Sequence, residues 1–443
     1  MENILKTINE FNLIQEDEVI CVATSGGSDS MALLHYLNLL SKEKGFEVIA
    51  VTINHHIREN AEKDVNLVSK FCKENGIRVY RFDINAPKLA ETQKESLEKV
   101  ARDARIKIFN SLIEKNIADK VAIAHHQKDQ AETILINLFR GSGLSGAKGM
   151  TVKSNHFILP LLNTSKQAIL DYCLTNDIPY VEDETNLDNS FTRNYVRNLI
   201  LPLIEKKWPN AVEKICAFGN DCEDVENFIS TQIPLDSVIF EDKVSKIPTS
   251  YFIYHNAIIS KTIFTVLKKM GIQKDIERKH IEQIKELALH GTNGSKINLP
   301  NKLTAIKEYD YLVLISKEKK QITLQRPFKL QTFDVPEFGN ISVKKAKAVE
   351  PNTLCFDLKK IPKNAVWRFK ERNDQISKFG GGTKKLKDYL IEKKVPQRLR
   401  QNLPVLASDN EILIVAGVGI SDKIKVDSKT TAIYKIIVSW NLF

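Results

Sequence analysis

Short apolar runs alternate with amphipathic stretches through the first third of the chain. The run Val19–Ala23 is followed by a methionine and leucines at helical spacing, and this pairing recurs along the chain up to residue 140. The pattern predicts strands at Val19–Ala23, 48–51, 78–82 and 121–124, and helices at 31–40, 61–74, about 95–115 and 129–139. Strands that alternate with helices indicate an α/β fold with a Rossmann-like parallel sheet covered on both faces.

The pattern changes twice further along the chain, and 443 residues exceed one ordinary core, so we expect three domains. They are residues 1–215, a mainly helical middle domain at 220–318, and a small mixed α/β domain at 330–443. A charge run at Lys317–Lys320 and Pro327 mark the second boundary. The stretches behind this division are 256–270 and 275–289 as helices, 303–306 and 311–315 as strands, and Lys384–Lys393 as a basic helix.

Composition restricts the class of protein. Hydrophobic residues make up 42% and charged residues 27%, which is typical of a globular protein. The sequence contains no apolar run of the roughly 18 residues that span a bilayer, and its N-terminus does not resemble a signal peptide. We therefore expect a cytoplasmic location and no membrane partner. The six cysteines are scattered without a C-x-x-C pair, which predicts buried, reduced thiols.

The positive charge is concentrated near the C-terminus. The formal net charge is +10, and the segment from Lys378 to Arg400 holds eight Lys or Arg against two acidic residues. A basic excess favours a polyanionic partner where it is concentrated in this way. The alternative interpretation is a solvated charged face without a partner.

Polar residues follow three of the predicted strands at the point where each strand ends. They are Ser25–Ser30 after the first strand, Asn54–His56 after the second, and His125 with His126 after the fourth. Ligands of open parallel sheets bind outside the carboxyl ends of the strands. The three groups are therefore expected to line one pocket.

The first of these groups has the composition of a phosphate-binding loop: Ser25, Gly26, Gly27, Ser28, Asp29 and Ser30. Two glycines permit a tight turn and close approach to a phosphate, and the next helix directs its amides at the anion. A Walker A loop would place Lys-Ser/Thr where Ser28-Asp29 stands, which disfavours kinase or GTPase chemistry. Many strand-to-helix connections use small residues, so the composition alone is weak evidence.

The position of this loop, between an apolar strand and an apolar helix near the N-terminus, makes it resemble the signature of the N-type ATP pyrophosphatases. The resemblance implies the adenine nucleotide alpha hydrolase-like fold, with ATP bound by Ser25–Ser30. Members of this superfamily cleave ATP between the α and β phosphates and adenylylate an oxygen. An amine or sulfur nucleophile then displaces AMP.

A second motif, HHQKDQAET, begins at His125 and places Asp129, Glu132 and Thr133 on one helical face. The alternative role for Asp129 is first-turn helix electrostatics. With further motifs at both ends of the chain, this segment resembles the tRNA(Ile)-lysidine synthetase family. The further motifs are Asn54–Arg58, Ala101-Arg102, Leu138–Gly143, Asp183–Asn186, Arg193–Arg197 and Gly380–Pro396. Ile106 and Asn373 depart from the family's usual residues.

The resemblance implies that L-lysine is ligated to C2 of the wobble cytidine of a CAU-anticodon tRNA(Ile), through an adenylylated cytidine. Asp29, helped by Mg²⁺, is our candidate for organising the leaving pyrophosphate, because magnesium prefers one or two carboxylates together with phosphate oxygens. Our candidates for the remaining roles are Asp129 with His125 and Glu132 for lysine, Arg102, Arg193 and Arg197 for phosphate charge, and Lys384, Lys385 and Lys387 for the tRNA backbone. Each arginine has a surface salt bridge as its alternative role.

Two rival functions remain. One is a different enzyme of the same superfamily, such as a tRNA thiolase or an amidating ligase. Paired cysteines or an N-terminal nucleophilic cysteine would favour it, and the sequence contains neither. The other is a non-catalytic, nucleotide-gated RNA-binding protein, which tRNA-dependent exchange of ATP and pyrophosphate would distinguish from an enzyme. A homodimer is left open.

Overall fold

The computed structural model describes residues 2–57, 61–181, 188–241, 243–272, 275–316, 323–335 and 338–440. Arg58, the motif at 183–186 and the charge run at 317–320 lie outside the described residues. The chain divides into two compact units, Met1–Phe228 and Ile229–Phe443. The division into three domains stays a prediction.

The secondary structure has the following bounds. The described helices are α1 (Glu2–Glu10), α2 (Ser28–Lys44), α3 (Ala61–Glu74), α4 (Ala86–Gln93), α5 (Leu97–Glu114), α6 (Gln127–Phe139), α7 (Leu144–Ala147), α8 (Lys166–Thr175), α9 (Thr192–Tyr195), α10 (Leu201–Lys207), α11 (Ala211–Thr231), α12 (Asn256–Lys269), α13 (Arg278–His290) and α14 (Leu386–Glu392). The described strands are β1 (Val19–Ala23), β2 (Glu47–Asn54), β3 (Arg78–Asp83), β4 (Lys120–Ala122), β5 (Lys153–Ser154), β6 (Phe157–Ile158), β7 (Ile239–Glu241), β8 (Val244–Pro248), β9 (Lys296–Leu299), β10 (Leu303–Glu308), β11 (Tyr311–Ile315), β12 (Gln325–Pro327), β13 (Thr332–Val335), β14 (Gly339–Lys345), β15 (Leu354–Asp357), β16 (Val366–Phe369), β17 (Gln375–Ser377), β18 (Thr383–Lys385), β19 (Pro404–Ser408), β20 (Glu411–Val415), β21 (Gly419–Ile420) and β22 (Ile433–Trp440).

The first unit is built on the expected Rossmann-like sheet. Its strands lie in the order β3-β2-β1-β4-β6-β5, and they pair in parallel except for the antiparallel β5–β6 edge. Alternate residues of β1 enter different cores: Ile20 and Val22 pack with α2 and α8, whereas Cys21 packs with Phe109 and Leu112 of α5. Both faces of the sheet are covered, as predicted.

The sequence also predicts a helical stretch at about Asn194–Glu205, broken by Pro202, and the structure differs in one respect. The sequence predicts a break at the proline, whereas the structure continues from α9 through a π-helical turn at Val196–Ile200 into α10. Proline lacks an N–H group and its ring collides with the preceding turn, so the irregularity lies before Pro202. Arg197 therefore belongs to the wider turn.

The second unit contains two separate cores. In the first core, α12 and α13 pack on an antiparallel sheet of order β7-β8-β11-β10-β9. The sequence predicts the helices, β10 and β11. It misses β7, β8 and β9, because each has only three to five residues and mixes polar with apolar positions.

The second core fills the space between a larger mixed sheet and a smaller antiparallel one. Their strand orders are β12-β16-β19-β20-β17-β18, with β21 on β20, and β13-β14-β22-β15. The predicted basic helix Lys384–Lys393 is shorter than expected. Its first two residues belong to β18, which pairs with β17, and α14 begins at Leu386.

All six cysteines are buried and unpaired, which confirms the prediction of buried thiols. Burial raises the pKa of Cys21 and of Cys216 to about 12 and that of Cys72 to about 11. Within the described part of the chain, no helix combines the length and apolar character that crossing a membrane requires.

Candidate active site

The Ser25–Ser30 loop leaves β1 and enters α2 with a fixed shape. Gly26 has φ +88°, and a Cβ atom there would lie 3.3 Å from Cγ2 of Val181, so a larger residue is disfavoured by both strain and space. The amide of Ser25 donates to Oγ of Ser30 (3.1 Å), and that hydroxyl donates to the carbonyl of Gly27 (3.0 Å). Because α2 begins immediately after Gly27, its first amides face the loop, as an anion site requires.

A lysine from another helix reaches this loop. Nζ of Lys166, the first residue of α8, donates to Oγ of Ser28 (2.8 Å) and to Oδ1 of Asp29 (2.6 Å). The sequence analysis missed Lys166, because 137 residues separate it from Asp29 and no short motif connects the two. A Walker A loop supplies its lysine from within the loop, whereas here the cation comes from elsewhere in the fold.

His126 lies between the loop and the second motif. Its Nδ1 accepts from the amide of Lys128 (3.1 Å), so the neutral ring, assigned from this hydrogen bond, carries its proton on Nε2. Nε2 lies 3.8 Å from Oδ2 of Asp29 and 3.6 Å from Oδ2 of Asp129. Burial lowers the pKa of His126, against the opposing effect of the two carboxylates. The ring therefore faces both acidic groups as a neutral donor.

Two carboxylates of α6 bind two arginines of the segment that follows β6 and α8. Nε of Arg193 donates to Glu132 (2.9 Å) and its Nη2 to Oδ1 of Asp129 (3.0 Å). Nε of Arg197 donates to Glu132 (2.6 Å) and its Nη2 to the same Oδ1 (2.6 Å). Glu132 is fully buried, with 0% of its surface exposed. We call these four residues the ionic cluster.

The second oxygen of Asp129 has different neighbours. Oδ2 accepts from the amide of His126 (3.0 Å) and lies 3.6 Å from Nδ1 of His125. Burial by itself would raise the pKa of Asp129, but the neighbouring side chains of His125, His126 and Arg193 hold that pKa well below its usual range. Asp129 lies in the first turn of α6, where it completes a capping box with His126, and it also belongs to the ionic cluster. One carboxylate performs both tasks.

The structure brings together most of the candidate residues of the first unit. These are Asp29, His125, Asp129, Glu132, Arg193 and Arg197. Arg102 is exposed on α5 and, among the described residues, it makes no hydrogen bond or ion pair with this group. Gln130 has a structural role, since its side chain bonds the backbone of Lys148 and Met150.

The donor set around Asp29 fits Mg²⁺ only together with phosphate oxygens. No group of three or more His, Cys, Asp or Glu side chains in the described ranges could hold a metal ion by itself. Asp29 is a single, partly exposed carboxylate at the mouth of the loop. Magnesium is commonly bound by one or two carboxylates and the phosphates of a nucleotide, so these residues suit a metal that arrives with ATP.

The basic segment Lys378–Arg400 offers fewer solvent-facing cations than its composition suggests. Lys378 and Lys384 both bind Glu392, at 2.9 Å and 2.7 Å, and their hydrogen bonds lower the pKa of that carboxyl to about 2. Arg398 binds the buried Glu308 of β10 (3.0 Å). Arg400 donates to the carbonyl of Val395 and to Tyr309. Lys385 and Lys387 are exposed.

Comparison with known proteins agrees with this geometry. The family described as "PP-loop domain" matches residues 1–204, and "TilS substrate C-terminal domain" matches residues 366–438. The strand order, the Ser25–Ser30 loop and the first match define an ATP-using protein of the PP-loop class.

Curated relatives specify the family. The chain is 32% identical to the tRNA(Ile)-lysidine synthase of Clostridium tetani, over 98% of this chain and 97% of the relative. It is 31% identical to the synthase of Clostridioides difficile, over 98% of each. It is also 33% identical to the "Bifunctional protein TilS/HprT" of Listeria innocua, over 94% of this chain and 67% of the relative. The chain belongs to the tRNA(Ile)-lysidine synthase family, which confirms the resemblance and favours it over a thiolase.

Proposed function

We propose that this protein ligates L-lysine to C2 of the wobble cytidine of a CAU-anticodon tRNA(Ile) and so forms lysidine. ATP is consumed, an adenylylated cytidine is the intermediate, and AMP and pyrophosphate are released. The observation that carries this proposal is family membership over nearly the full chain, together with the phosphate loop beside the ionic cluster. The reaction makes the protein a ligase that forms a carbon–nitrogen bond. A cytoplasmic location and a homodimer stay predictions.

The first step activates the base at the Ser25–Ser30 loop. The cytosine O2 attacks the α-phosphorus, an O–P bond forms, and the bond to the β-phosphate oxygen breaks. Lys166 and the first amides of α2 receive the charge of the leaving pyrophosphate, because they already surround Ser28 and Asp29. Mg²⁺ held by Asp29 would supply further neutralisation on the phosphate oxygens. Flipping the cytidine out of the anticodon stack precedes this step.

The second step joins lysine to the activated base. The neutral ε-amine attacks C2, a C–N bond forms, and the C2–O bond to AMP breaks. We assign the ε-ammonium to the Oδ2 side of Asp129, because Oδ1 and both oxygens of Glu132 already bind arginines. His125 lies 3.6 Å from that oxygen and is partly exposed, so it is our candidate for removing the ammonium proton.

Within this proposal, the ionic cluster fixes the orientation of the guanidinium groups of Arg193 and Arg197. Glu132 and Asp129 hold Arg193 and Arg197 in bridging geometry, which fixes the donors before substrate arrives. Arg193 is the more exposed of the two, at 38% of its side chain against 27%. It is therefore the better candidate for contact with the phosphate of the adenylylated base.

The deciding experiment incubates the protein with ATP, radiolabelled lysine and a transcript of CAU-anticodon tRNA(Ile). We expect label in the RNA, with one AMP released for each lysine incorporated. An elongator methionine tRNA transcript with the same anticodon serves as the acceptor control. If folded protein incorporates no label, the lysidine proposal is wrong. Absence of tRNA-dependent ATP/pyrophosphate exchange would support the non-catalytic rival instead.

We further propose that exposed lysines of the basic segment bind the tRNA backbone. Substituting Lys385 and Lys387 with alanine should weaken tRNA binding and reduce the salt slope, d(log K)/d(log [salt]), by about 0.7 to 0.9 for each lost phosphate contact. Substituting Lys384 should have a smaller effect, because its ammonium group already binds Glu392. The measurement is tRNA affinity at several salt concentrations. Lys363, an exposed lysine outside the segment, is the control.

An unchanged salt slope in the Lys385 and Lys387 double variant would contradict the backbone contact. If Lys363→Ala weakens tRNA binding as much as the double variant does, the loss reflects the protein's overall charge rather than contacts at a defined surface.

A further inference from the structure

A short hairpin at the start of the basic segment has an unusual turn. Strands β17 and β18 pair antiparallel, and the turn between them is closed by hydrogen bonds between Lys378 and Gly382 (3.0 Å) and between Gly381 and Lys378 (3.1 Å). Gly380, Gly381 and Gly382 have φ of +86°, +102° and +88°. Three successive residues with positive φ require glycine, so the shape of this turn is encoded by residue type.

The turn carries one large apolar side chain. Phe379 is 57% exposed. A single exposed apolar residue is common on protein surfaces and needs no explanation by itself. Here, however, the surface beside it is bare, because a Cβ atom built on any of the three glycines would meet no atom within 4 Å. The backbone of the turn is therefore open to a ligand next to an exposed ring.

The charge around this ring is strongly positive. Six lysines and two acidic residues lie between Lys378 and Lys394. Lys378 and Lys384 are held at the two ends of the turn by their shared partner Glu392, and Lys385 is exposed beside them. An exposed aromatic ring beside fixed cations is the arrangement that binds single-stranded nucleic acid, with bases stacked on the ring and phosphates on the cations.

We propose that Phe379 is a stacking platform for an unpaired nucleotide of the RNA substrate, and that the exposed Lys385 contacts an adjoining phosphate. Phenylalanine has no hydrogen-bonding group, so the contact accepts any base and adds affinity without reading sequence. The bare glycine turn lets the sugar and phosphate approach the backbone. This inference rests on the proposed function only in taking tRNA as the RNA.

The test compares Phe379→Ala, Phe379→Leu and Phe379→Trp for binding to the CAU-anticodon tRNA(Ile) transcript. Loss of one stacked base should weaken binding roughly 5- to 150-fold in the alanine variant. The leucine variant should bind almost as weakly as the alanine variant, because leucine keeps apolar volume but has no aromatic face on which a base can stack. The tryptophan variant should bind as tightly as the wild type, and its added fluorescence should be quenched by the stacked base.

Two readouts separate stacking from other roles. Phe379 is uncharged, so the salt slope of the alanine variant should equal that of the wild type, unlike that of the Lys385 and Lys387 variants. Val349, equally 57% exposed in the loop between β14 and β15, is the control, and Val349→Ala should bind tRNA normally. An unchanged thermal midpoint, expected for a surface position, shows that each variant is folded.

Unchanged tRNA affinity of folded Phe379→Ala would overturn the proposal, as would a leucine variant that binds like the wild type. Lysine incorporation by the wild type is measured in parallel. If incorporation is normal while Phe379→Ala binds tRNA like the wild type, stacking fails and the proposed function stands. If incorporation is absent while tRNA binding depends on an aromatic residue at position 379, the proposed function fails and stacking stands.

Discussion

Replacing Lys166 with methionine is expected to lower the rate of tRNA-dependent ATP/pyrophosphate exchange by about 10² to 10³-fold. Methionine keeps most of the side-chain length and removes the ammonium group that bonds Ser28 and Asp29. The positive charge facing the leaving pyrophosphate is then lost, whereas the loop keeps its own hydrogen bonds between Ser25, Ser30 and Gly27. Exchange of labelled pyrophosphate into ATP measures this step directly.

Two variants make the test specific. Lys166→Arg retains a cation and should keep a substantial part of the exchange rate. Lys128→Met is the matched control, because Lys128 also lies in the first turn of a helix and binds a carboxylate, Glu205, at 3.3 Å. Exchange by Lys166→Met at the rate of the control would remove Lys166 from the proposed mechanism.

Glu132→Gln is expected to have the largest combined effect on stability and activity. The substitution leaves Arg193 and Arg197 without their shared buried carboxylate. Because both guanidinium groups still reach water, we expect a loss of about 2 to 3 kcal/mol in the free energy of unfolding, below the range for a wholly buried pair. Disordered arginines should also lower lysine incorporation by about 10²-fold. Chemical denaturation and the incorporation assay measure the two effects.

Glu205→Gln is the control for this second prediction, since it breaks an ion pair of the same unit whose side chains are both partly exposed. Such pairs contribute about 1 kcal/mol or less. If Glu132→Gln lowers the free energy of unfolding no more than Glu205→Gln does, the ionic cluster does not stabilise the site. If stability falls while incorporation is unchanged, the cluster is structural and the arginines take no part in the reaction.

Local patterns predicted the parts of this fold that depend on neighbouring residues. An apolar run followed by glycines and a helical repeat is sufficient to place β1, the Ser25–Ser30 loop and α2. The short strands β7, β8 and β9 have only three to five residues each, and their sequences carry little signal of their own. Only β8 has a partner distant in the chain, β11, whereas β7 and β9 pair with their chain neighbours β8 and β10. The sequence therefore underestimated the sheet of the second unit.

The candidate site was predictable as a set of residues but not as a set of contacts. Asp129, Glu132, Arg193 and Arg197 were all identified from motifs, yet their mutual pairing depends on how the segment after α8 returns to α6. Lys166 was missed for the same reason. The sequence also overestimates how many cations of the basic segment are available to a partner, because composition cannot show that Arg398 is bound to Glu308.

The burial of every native cysteine makes this enzyme convenient for fluorescence work. Maleimide dyes react with thiolates, and raised pKa values leave Cys21, Cys72 and Cys216 almost wholly protonated at neutral pH. A cysteine introduced at the exposed position of Val349 should therefore react far faster than the native thiols. A dye pair between that position and the anticodon loop could then report docking of single tRNA molecules, with the native cysteines left in place.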